Sequence, residues 1–186
     1  MHRDTLRHRL TEKSGNWAKS SGLSASNWPA GARALPIRAV LFDLDGTLAD
    51  TAPDLAAALN RVRGDRGLAP LPYATLRPHA SHGARGLVGA GFGVAPGDDG
   101  FPLLRDTFLA HYEAALCVES TLFDDVAALL AEIEARGLAW GIVTNKAARF
   151  TQPLLAMLPP LARAGTVVSG ATPSSRAACS SGSGCG

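Results

Sequence analysis

Two carboxylates spaced two residues apart, Asp43 and Asp45, are the side chains of this sequence best suited to chemistry. They follow the short apolar run 39–42 (Ala-Val-Leu-Phe), which predicts a strand buried on both faces of a parallel sheet. Residues two apart in an extended chain project to the same side, and ligands bind at the carboxyl ends of such strands. Gly46 then lets the backbone turn away. This edge suits a hard divalent cation with a phosphate, and it supplies a nucleophile and an acid/base.

The whole segment 43–51 reads Asp-Leu-Asp-Gly-Thr-Leu-Ala-Asp-Thr. It resembles the first motif of the haloacid dehalogenase superfamily of phosphotransferases, Asp-x-Asp-Gly-Thr-Leu-x-Asp followed by Ser or Thr, and matches it throughout. The resemblance implies that Asp43 is the nucleophile that forms an aspartyl-phosphate and that Asp45 is the general acid/base. It also implies Mg²⁺ as the cofactor, with Asp43 and the main-chain carbonyl of Asp45 as metal ligands. The dehalogenases proper lack the second Asp, so its presence favours phosphoryl transfer.

A second apolar run, 138–143, predicts another buried strand, and Thr144, Asn145 and Lys146 follow at its carboxyl end. Alone, a Thr-Asn pair after a strand is typical of a turn or a helix cap. Beside the first motif it resembles the second motif of the superfamily, in which the Thr hydroxyl and the next N–H group hold a phosphate oxygen. Thr144 and Asn145 are therefore assigned to substrate binding. Lys146 is interpreted equally well as a solvated charge or as a ligand.

The segment 81–85 (Ser-His-Gly-Ala-Arg) is a further candidate binding stretch. Small and turn-forming residues ahead of a helix leave main-chain N–H groups free for an anion, and Arg85 adds a cation. The stretch resembles the substrate-specificity loop of helical-cap phosphatases, which implies substrate contacts from Ser81 and Arg85. An ordinary helix start with a surface arginine is the alternative. His79 and His111 are interpreted as surface or packing histidines.

The spacing of apolar residues predicts the elements that position these groups. Four helices inserted directly after the first strand exceed what one crossover connection needs, so they predict a separate cap. Along the chain, the predicted elements are a strand at 39–42, helices at about 52–64, from about 73, after 85 and at about 101–116, a helix at about 126–133, a strand at 138–143, a helix at about 147–158 and a strand at 166–169.

The predicted fold class is α/β, a Rossmann-like but incomplete parallel sheet with an inserted α-helical cap. Residues 36–51 and 122–170 are predicted to form a partial core, and residues 52–121 a helical cap. Residues 1–35 are polar and Ser- and Gly-punctuated, which predicts a disordered leader. Residues 171–186 contain no Val, Ile, Leu or Phe, which predicts a disordered tail.

Length and charge exclude several classes of function. The 186 residues suit one domain with a modest insertion, and the formal net charge is only +2. Residues 1–35 carry a net charge of +4 and the remainder −2, so the balance indicates neither nucleic-acid nor membrane binding. The odd number of cysteines, three, without metal-ligand spacing, predicts free thiols in a reducing cytoplasm. The expected partner is a small phosphorylated metabolite.

The resemblance covers residues 37–170 but only two of the superfamily's four motifs. The third is a Lys beyond the third strand, yet no Lys follows Lys146; the fourth is an acidic pair or triplet, yet no Asp or Glu follows Glu134. Losing one preorganised electrostatic group costs about 10²–10³ in rate. The sequence therefore predicts an impaired enzyme from a truncated or frameshifted reading frame.

Within the superfamily, the chain resembles the phosphoglycolate phosphatase branch, which implies a Mg²⁺-dependent phosphatase of a small phosphate monoester. Residues 81–85 and 138–146 are also similar to sugar-phosphate phosphatases that act on N-acetylmuramic acid 6-phosphate, and both substrates stay open. The alternative from another class is a non-catalytic remnant that binds Mg²⁺ or phosphate weakly through Asp43, Asp45 and Thr144.

Overall fold

The computed structural model describes residues 37–170, so the predicted leader at 1–35 and tail at 171–186 lie outside the described residues. Helices and strands in this part largely follow the predicted order. They are β1 (Ala39–Phe42), β2 (Ala49–Asp50), α1 (Ala52–Gly64), α2 (Tyr73–Ala80), α3 (Gly83–Phe92), α4 (Phe101–Ala114), β3 (Thr121–Leu122), α5 (Val126–Ala135), β4 (Ala139–Ala147), α6 (Ala148–Met157), a short 3₁₀ helix (Pro159–Arg163) and β5 (Thr166–Gly170).

Three of these strands form a parallel sheet in the order β1-β4-β5. Phe42 pairs with Ile142, and Ile142 pairs in turn with Val167. Because connections between parallel strands are right-handed, α5, which precedes β4, and α6, which follows it, pack on the same face of the sheet. Trp140 and Ile142 of β4 are buried. The predicted α/β class with a parallel sheet is confirmed.

The opposite face of this sheet is exposed in the described part of the chain. Successive strand residues point to opposite faces, and Leu41, Val143 and Val168 are 60%, 42% and 54% exposed. The prediction that β1 and β4 are buried on both faces is therefore wrong. Helices α5 and α6 both lie on the face that contains Ile142. The apolar runs of β1 and β4 are therefore buried on that face alone.

Helices α1 to α4 pack together and are called the four-helix group below. The stripe of Leu55, Leu59 and Val62 on α1 is buried, as the spacing predicts. Gly91 of α3 lies so close to α1 that a Cβ atom there would stand 2.9 Å from Cδ2 of Leu59. A side chain at this position would therefore displace the buried Leu59 side chain. No helix of residues 37–170 is long and apolar enough to span a bilayer.

The chain enters and leaves the four-helix group through two adjoining linkers. β2 pairs antiparallel with β3, so that Ala49 faces Leu122 and Asp50 faces Thr121. The buried carboxylate of Asp54, in the first turn of α1, accepts hydrogen bonds from the second linker. The donors are the N–H groups of Val118, Glu119 and Ser120 and the hydroxyl of Ser120, at 2.6–3.1 Å. One side chain therefore fastens the exit linker to the entry helix.

Candidate functional site

A tight turn after β1 presents the two motif carboxylates. The carbonyl of Leu44 accepts hydrogen bonds from the N–H groups of Leu48 and Ala49, both at 3.0 Å. Gly46 has φ +77°, a left-handed conformation that a side chain would strain. Leu44 and Leu48 are fully buried and anchor the turn. Asp43 is consequently exposed at the sheet edge, whereas Asp45 is half-buried.

The carboxylate of Asp45 is held by two side chains. Its Oδ1 atom accepts a hydrogen bond from Thr51 Oγ1 at 2.5 Å and one from Lys146 Nζ at 2.9 Å. Charge-assisted hydrogen bonds of this kind are about twice as strong as neutral ones. The orientation of the predicted acid/base is therefore set by one residue of the first motif and one residue of β4.

Lys146 is a buried partner of the site and not a solvated charge. Its side chain is only 8% exposed, and its ammonium lies 4.8 Å from the centre of the Tyr112 ring. Tyr112 belongs to α4 and also packs edge-on against Phe150 of α6, at 5.5 Å between ring centres. The ammonium thus has a carboxylate and an aromatic face as neighbours, a favourable pair for a desolvated cation.

Tyr112 brings a buried hydroxyl close to the carboxylates. Its side chain is 1% exposed, and the hydroxyl has no hydrogen-bond partner among the described residues. Burial raises the pKa of the Tyr112 phenol strongly, and the negative charges of Asp45 and Asp54 raise it further. The phenol is therefore neutral at physiological pH. The sequence did not predict that Tyr112 lies beside the site or that it contacts Lys146, because both depend on how α4 packs.

Thr144 and Asn145 lie within β4, so the predicted strand end at Val143 is wrong. β4 continues to Ala147 because it pairs again with Gly170 of β5, after an irregularity that begins at Val143. Thr144 is buried, and its hydroxyl oxygen accepts a hydrogen bond from the N–H of Lys146 at 3.1 Å. Asn145 is exposed. The parallel register of β1 and β4 brings Asp43 and Thr144 to the same edge of the sheet.

A cavity of about 170 Å³ lies between the first motif and the four-helix group. Ser81 borders it together with Asp45, so the structure brings these two predicted residues to one cavity. Arg85 is exposed on α3 and does not border the cavity. The residues that line it are Asp45, Gly46, Asp50, Thr51, Ala52, Leu55, Arg77, Ala80 and Ser81.

Arg77 of α2 is the cation that borders this cavity, and it was not predicted as a site residue. Its Nη1 atom donates to both carboxylate oxygens of Asp50, at 2.9 Å each, and to the hydroxyl of Tyr73. The hydrogen bond with Asp50, and next that with Tyr73, raises the pKa of the guanidinium. The sequence held one signal: Arg77 lies four residues before Ser81, a spacing that places two side chains on one face of a helix.

The oxygen atoms of Asp43 and Asp45 at the sheet edge are of the type that Mg²⁺ prefers as ligands. Mg²⁺ prefers carboxylate and carbonyl oxygens, and Asp43 and Asp45 supply both types at this edge. Residues 37–170 contain no cluster of three or more His, Cys, Asp or Glu side chains suited to a metal ion. The described residues therefore offer part of a metal shell.

Known proteins share this combination of fold and motif. Residues 37–177 match the family model of haloacid dehalogenase-like hydrolases. Over 122 residues the chain is 46% identical to the N-acetylmuramic acid 6-phosphate phosphatase of Pseudomonas putida. The matched region covers 66% of this chain and 55% of that protein. Over 135 residues it is 41% identical to the phosphoglycolate phosphatase of Xanthomonas campestris pv. campestris, with 73% and 61% covered.

A solved structure shares the fold as well. The crystal structure of a predicted phosphoglycolate phosphatase from Haemophilus somnus 129PT is similar with a TM-score of 0.63 and 26% sequence identity, covering 76% of this chain and 66% of that one. The chain spans 55% and 61% of the lengths of the two curated relatives. Because the family match extends over well more than half of the sequence, this chain belongs to the haloacid dehalogenase-like hydrolase family.

Proposed function

We propose that this chain carries the site of a Mg²⁺-dependent phosphatase that hydrolyses a small phosphate monoester in the manner of phosphoglycolate phosphatase. The observation that carries this proposal is the arrangement at the sheet edge. Asp43 is exposed there, while Asp45 is oriented by Thr51 and Lys146 beside the cavity. An accessible nucleophile next to a positioned acid/base is what a two-step phosphoryl transfer needs.

In the first step, a carboxylate oxygen of Asp43 attacks phosphorus and the bond to the ester oxygen breaks. Asp45, which must enter this step in its protonated form, gives its proton to the departing alcohol, and an aspartyl-phosphate remains on Asp43. In the second step, Asp45 takes a proton from water, whose oxygen attacks phosphorus and releases inorganic phosphate and Asp43. We assign Thr144 and Asn145 to the phosphate oxygens, since both follow the part of β4 that pairs with β1, as Asp43 follows β1.

The residues that would hold Mg²⁺ are Asp43, through its carboxylate, and Asp45, through its main-chain carbonyl. When bound, the cation offsets the negative charge of nucleophile and phosphate and gathers the two together. The buried ammonium of Lys146 adds a positive charge beside Asp45. Two superfamily motifs are not found in the sequence, and the loss of one such group costs roughly 10²–10³ in rate, so we expect a slow enzyme that falls below a complete site by more than this factor.

The size of the cavity favours a small substrate. Its volume of about 170 Å³ lies below the roughly 300–1,000 Å³ typical of pockets for larger ligands. Phosphoglycolate is a compact acid and fits this size class. N-acetylmuramic acid 6-phosphate is the second candidate, supported by the 46% identity with the Pseudomonas putida phosphatase of that substrate. The proposed partner is thus a small phosphorylated metabolite, and the cytoplasm remains the predicted compartment.

The full chain tests this function in a phosphate-release assay with Mg²⁺, using phosphoglycolate and an aryl phosphate as substrates. We expect release that requires Mg²⁺ and falls by about 10³-fold or more in Asp43→Asn, because the nucleophile is lost. Asp106→Asn is the matched control, an exposed carboxylate of α4 that pairs with Arg105, and it should keep the wild-type rate. No release by any of the three proteins would contradict the proposal and favour the non-catalytic alternative.

A further inference from the structure

We propose, building on the phosphatase function above, that Arg77 binds a carboxylate of the substrate, so that the substrate class is a phosphate monoester that also carries a carboxylate. Arg77 was not predicted as a site residue, and it borders the same cavity as Asp45. Its side chain is 44% exposed and therefore open to a ligand.

The guanidinium of Arg77 is anchored on one side and open on the other. Nη1 makes the hydrogen bonds with Asp50 and Tyr73, and the guanidinium carbon lies 5.7 Å from the centre of the Tyr73 ring. Nε and Nη2 donate no hydrogen bond to the residues that the structure describes. These two nitrogens form the side-on edge of the guanidinium, whose parallel N–H groups match the two oxygens of a carboxylate. The ion pair with Asp50 thus fixes the group without using its second binding edge.

Among the charged residues that line the cavity, Arg77 is the one that an anion can bind. Arg77 is the single cation among the lining residues, whereas Asp45 and Asp50 are the lining carboxylates. Lys146 already compensates Asp45, and Arg77 compensates Asp50. Ser81, an exposed residue, lines the cavity together with Arg77. Its hydroxyl donates a long hydrogen bond, 3.4 Å, to the carbonyl of Pro78, and a ligand in the cavity would compete for that proton. A second phosphate could also bind to the Nε and Nη2 edge of Arg77. A carboxylate is favoured because it is smaller and carries a single negative charge, and because Asp50 already compensates the charge of Arg77.

The two ends of the cavity match one kind of molecule. Asp45 and Gly46 of the first motif line it together with Arg77 of α2 and Ser81, which follows α2, and Asp43 is not among its lining residues. Both substrates considered above, phosphoglycolate and N-acetylmuramic acid 6-phosphate, combine a phosphate ester with a carboxylate. Recognition of the carboxylate by Arg77 would distinguish such acids from neutral phosphate esters.

Steady-state kinetics of the full chain compare phosphoglycolate with 2-hydroxyethyl phosphate, in which a hydroxymethyl group replaces the carboxylate. The key variant is Arg77→Lys, since lysine keeps the ion pair with Asp50 but lacks the two-nitrogen edge. We expect this variant to raise KM for phosphoglycolate about 10-fold or more and to leave kcat unchanged, because the carboxylate takes no part in the bonds that form and break at phosphorus. The KM for 2-hydroxyethyl phosphate should not change in the variant. Arg105→Lys, outside the cavity on α4, is the control.

A binding measurement separates this inference from the phosphatase function. Calorimetry with Mg²⁺ compares the non-hydrolysable 3-phosphonopropionate with 3-hydroxypropylphosphonate on the wild-type chain and on Arg77→Lys. We expect the acid to bind wild type about 10-fold or more tightly than the alcohol and the variant to lose this preference. Loss of the preference without turnover in wild type would sustain the carboxylate site and overturn the phosphatase function. Equal binding of acid and alcohol by wild type, or a preference that survives Arg77→Lys, would overturn the carboxylate site whether or not the chain turns over.

Discussion

At the scale of single residues, the ammonium of Lys146 joins the sheet edge to the four-helix group. The ammonium donates a hydrogen bond to Asp45 and lies over the ring of Tyr112. The Lys146 side chain that makes both contacts is only 8% exposed. The hydroxyl of Tyr112 adds no hydrogen bond among the described residues. The ring of Tyr112 therefore contributes through packing and its π face, and its hydroxyl is dispensable for those contacts.

Tyr112→Phe should change the pH dependence of stability more than the stability at pH 7. In the unfolded chain, tyrosine ionises near pH 10, whereas burial raises the pKa of Tyr112 in the folded state. Above about pH 10 the unfolded state binds fewer protons than the folded state, so the free energy of unfolding falls as pH rises, by up to about 1.4 kcal/mol per pH unit for this group. Tyr112→Phe removes this decline.

Urea unfolding of wild type and Tyr112→Phe between pH 7 and 11 measures this effect. At pH 7 we expect the two free energies of unfolding to agree within about 1 kcal/mol, since the lost hydroxyl has no hydrogen-bond partner within residues 37–170. An identical decline above pH 10 in both proteins would show that Tyr112 ionises freely in the folded state, contrary to its burial.

At the scale of elements, the two linkers act as one unit because Asp54 fastens them. The pairing of β2 with β3 covers only two residues in each strand, which is short for a stable ribbon. The four hydrogen bonds to the buried Asp54 carboxylate supply what this pairing lacks. The position of the four-helix group relative to the sheet edge, and hence the cavity, depends on this carboxylate.

Asp54→Ala should lower the free energy of unfolding by about 3–5 kcal/mol. It would leave the N–H groups of Val118, Glu119 and Ser120 and the hydroxyl of Ser120 without their acceptor, and each unsatisfied buried donor costs about 1–3 kcal/mol. Ser120 is buried, whereas Val118 and Glu119 are exposed, so water replaces part of the lost hydrogen bonds. Asp98→Ala is the matched control, because this exposed carboxylate accepts only the N–H of Ala95, at 2.8 Å, and its loss should cost about 1 kcal/mol or less. Denaturant unfolding compares the variants, and equal losses would refute a special role for Asp54.

At the scale of the whole described molecule, one apolar face of the parallel sheet meets solvent. Leu41, Val143 and Val168 are large apolar side chains with about half of their surface exposed. Grouped apolar residues of this kind mark surfaces that bind dyes or associate. Their exposure also means that they add little to the stability of the described part.

The double variant Val143→Thr/Val168→Thr should reduce binding of a hydrophobic dye such as ANS and change the free energy of unfolding by less than about 1 kcal/mol. Threonine keeps the β-branched shape that strands favour. Ile142→Thr is the contrasting control, since Ile142 is fully buried on the opposite face and its replacement should cost about 2–4 kcal/mol. Destabilisation of the double variant as large as that of Ile142→Thr would show that the face is covered in solution.

Local patterns in the sequence predicted the family and most of the elements. The first motif fixed the two carboxylates and the turn at Gly46, since a strand end and a positive φ are local properties. The apolar stripe of α1 gave its buried face, because helical spacing alone decides which residues share a side. The burial of β1 on both faces was not local and was predicted wrongly.

Only the tertiary structure decided which distant groups meet at the site. Lys146 reaches Asp45 across 101 positions of sequence, and no local signal tells a lysine that pairs from one that is solvated. Arg77 borders the cavity while Arg85 does not, because the packing of α2 and α3 sets the direction of each side chain. The sequence by itself determined the family motif that contains Asp43 and Asp45. The packing of the helices against the sheet edge decided which cations surround them, since side-chain direction depends on contacts between elements and not on spacing within one.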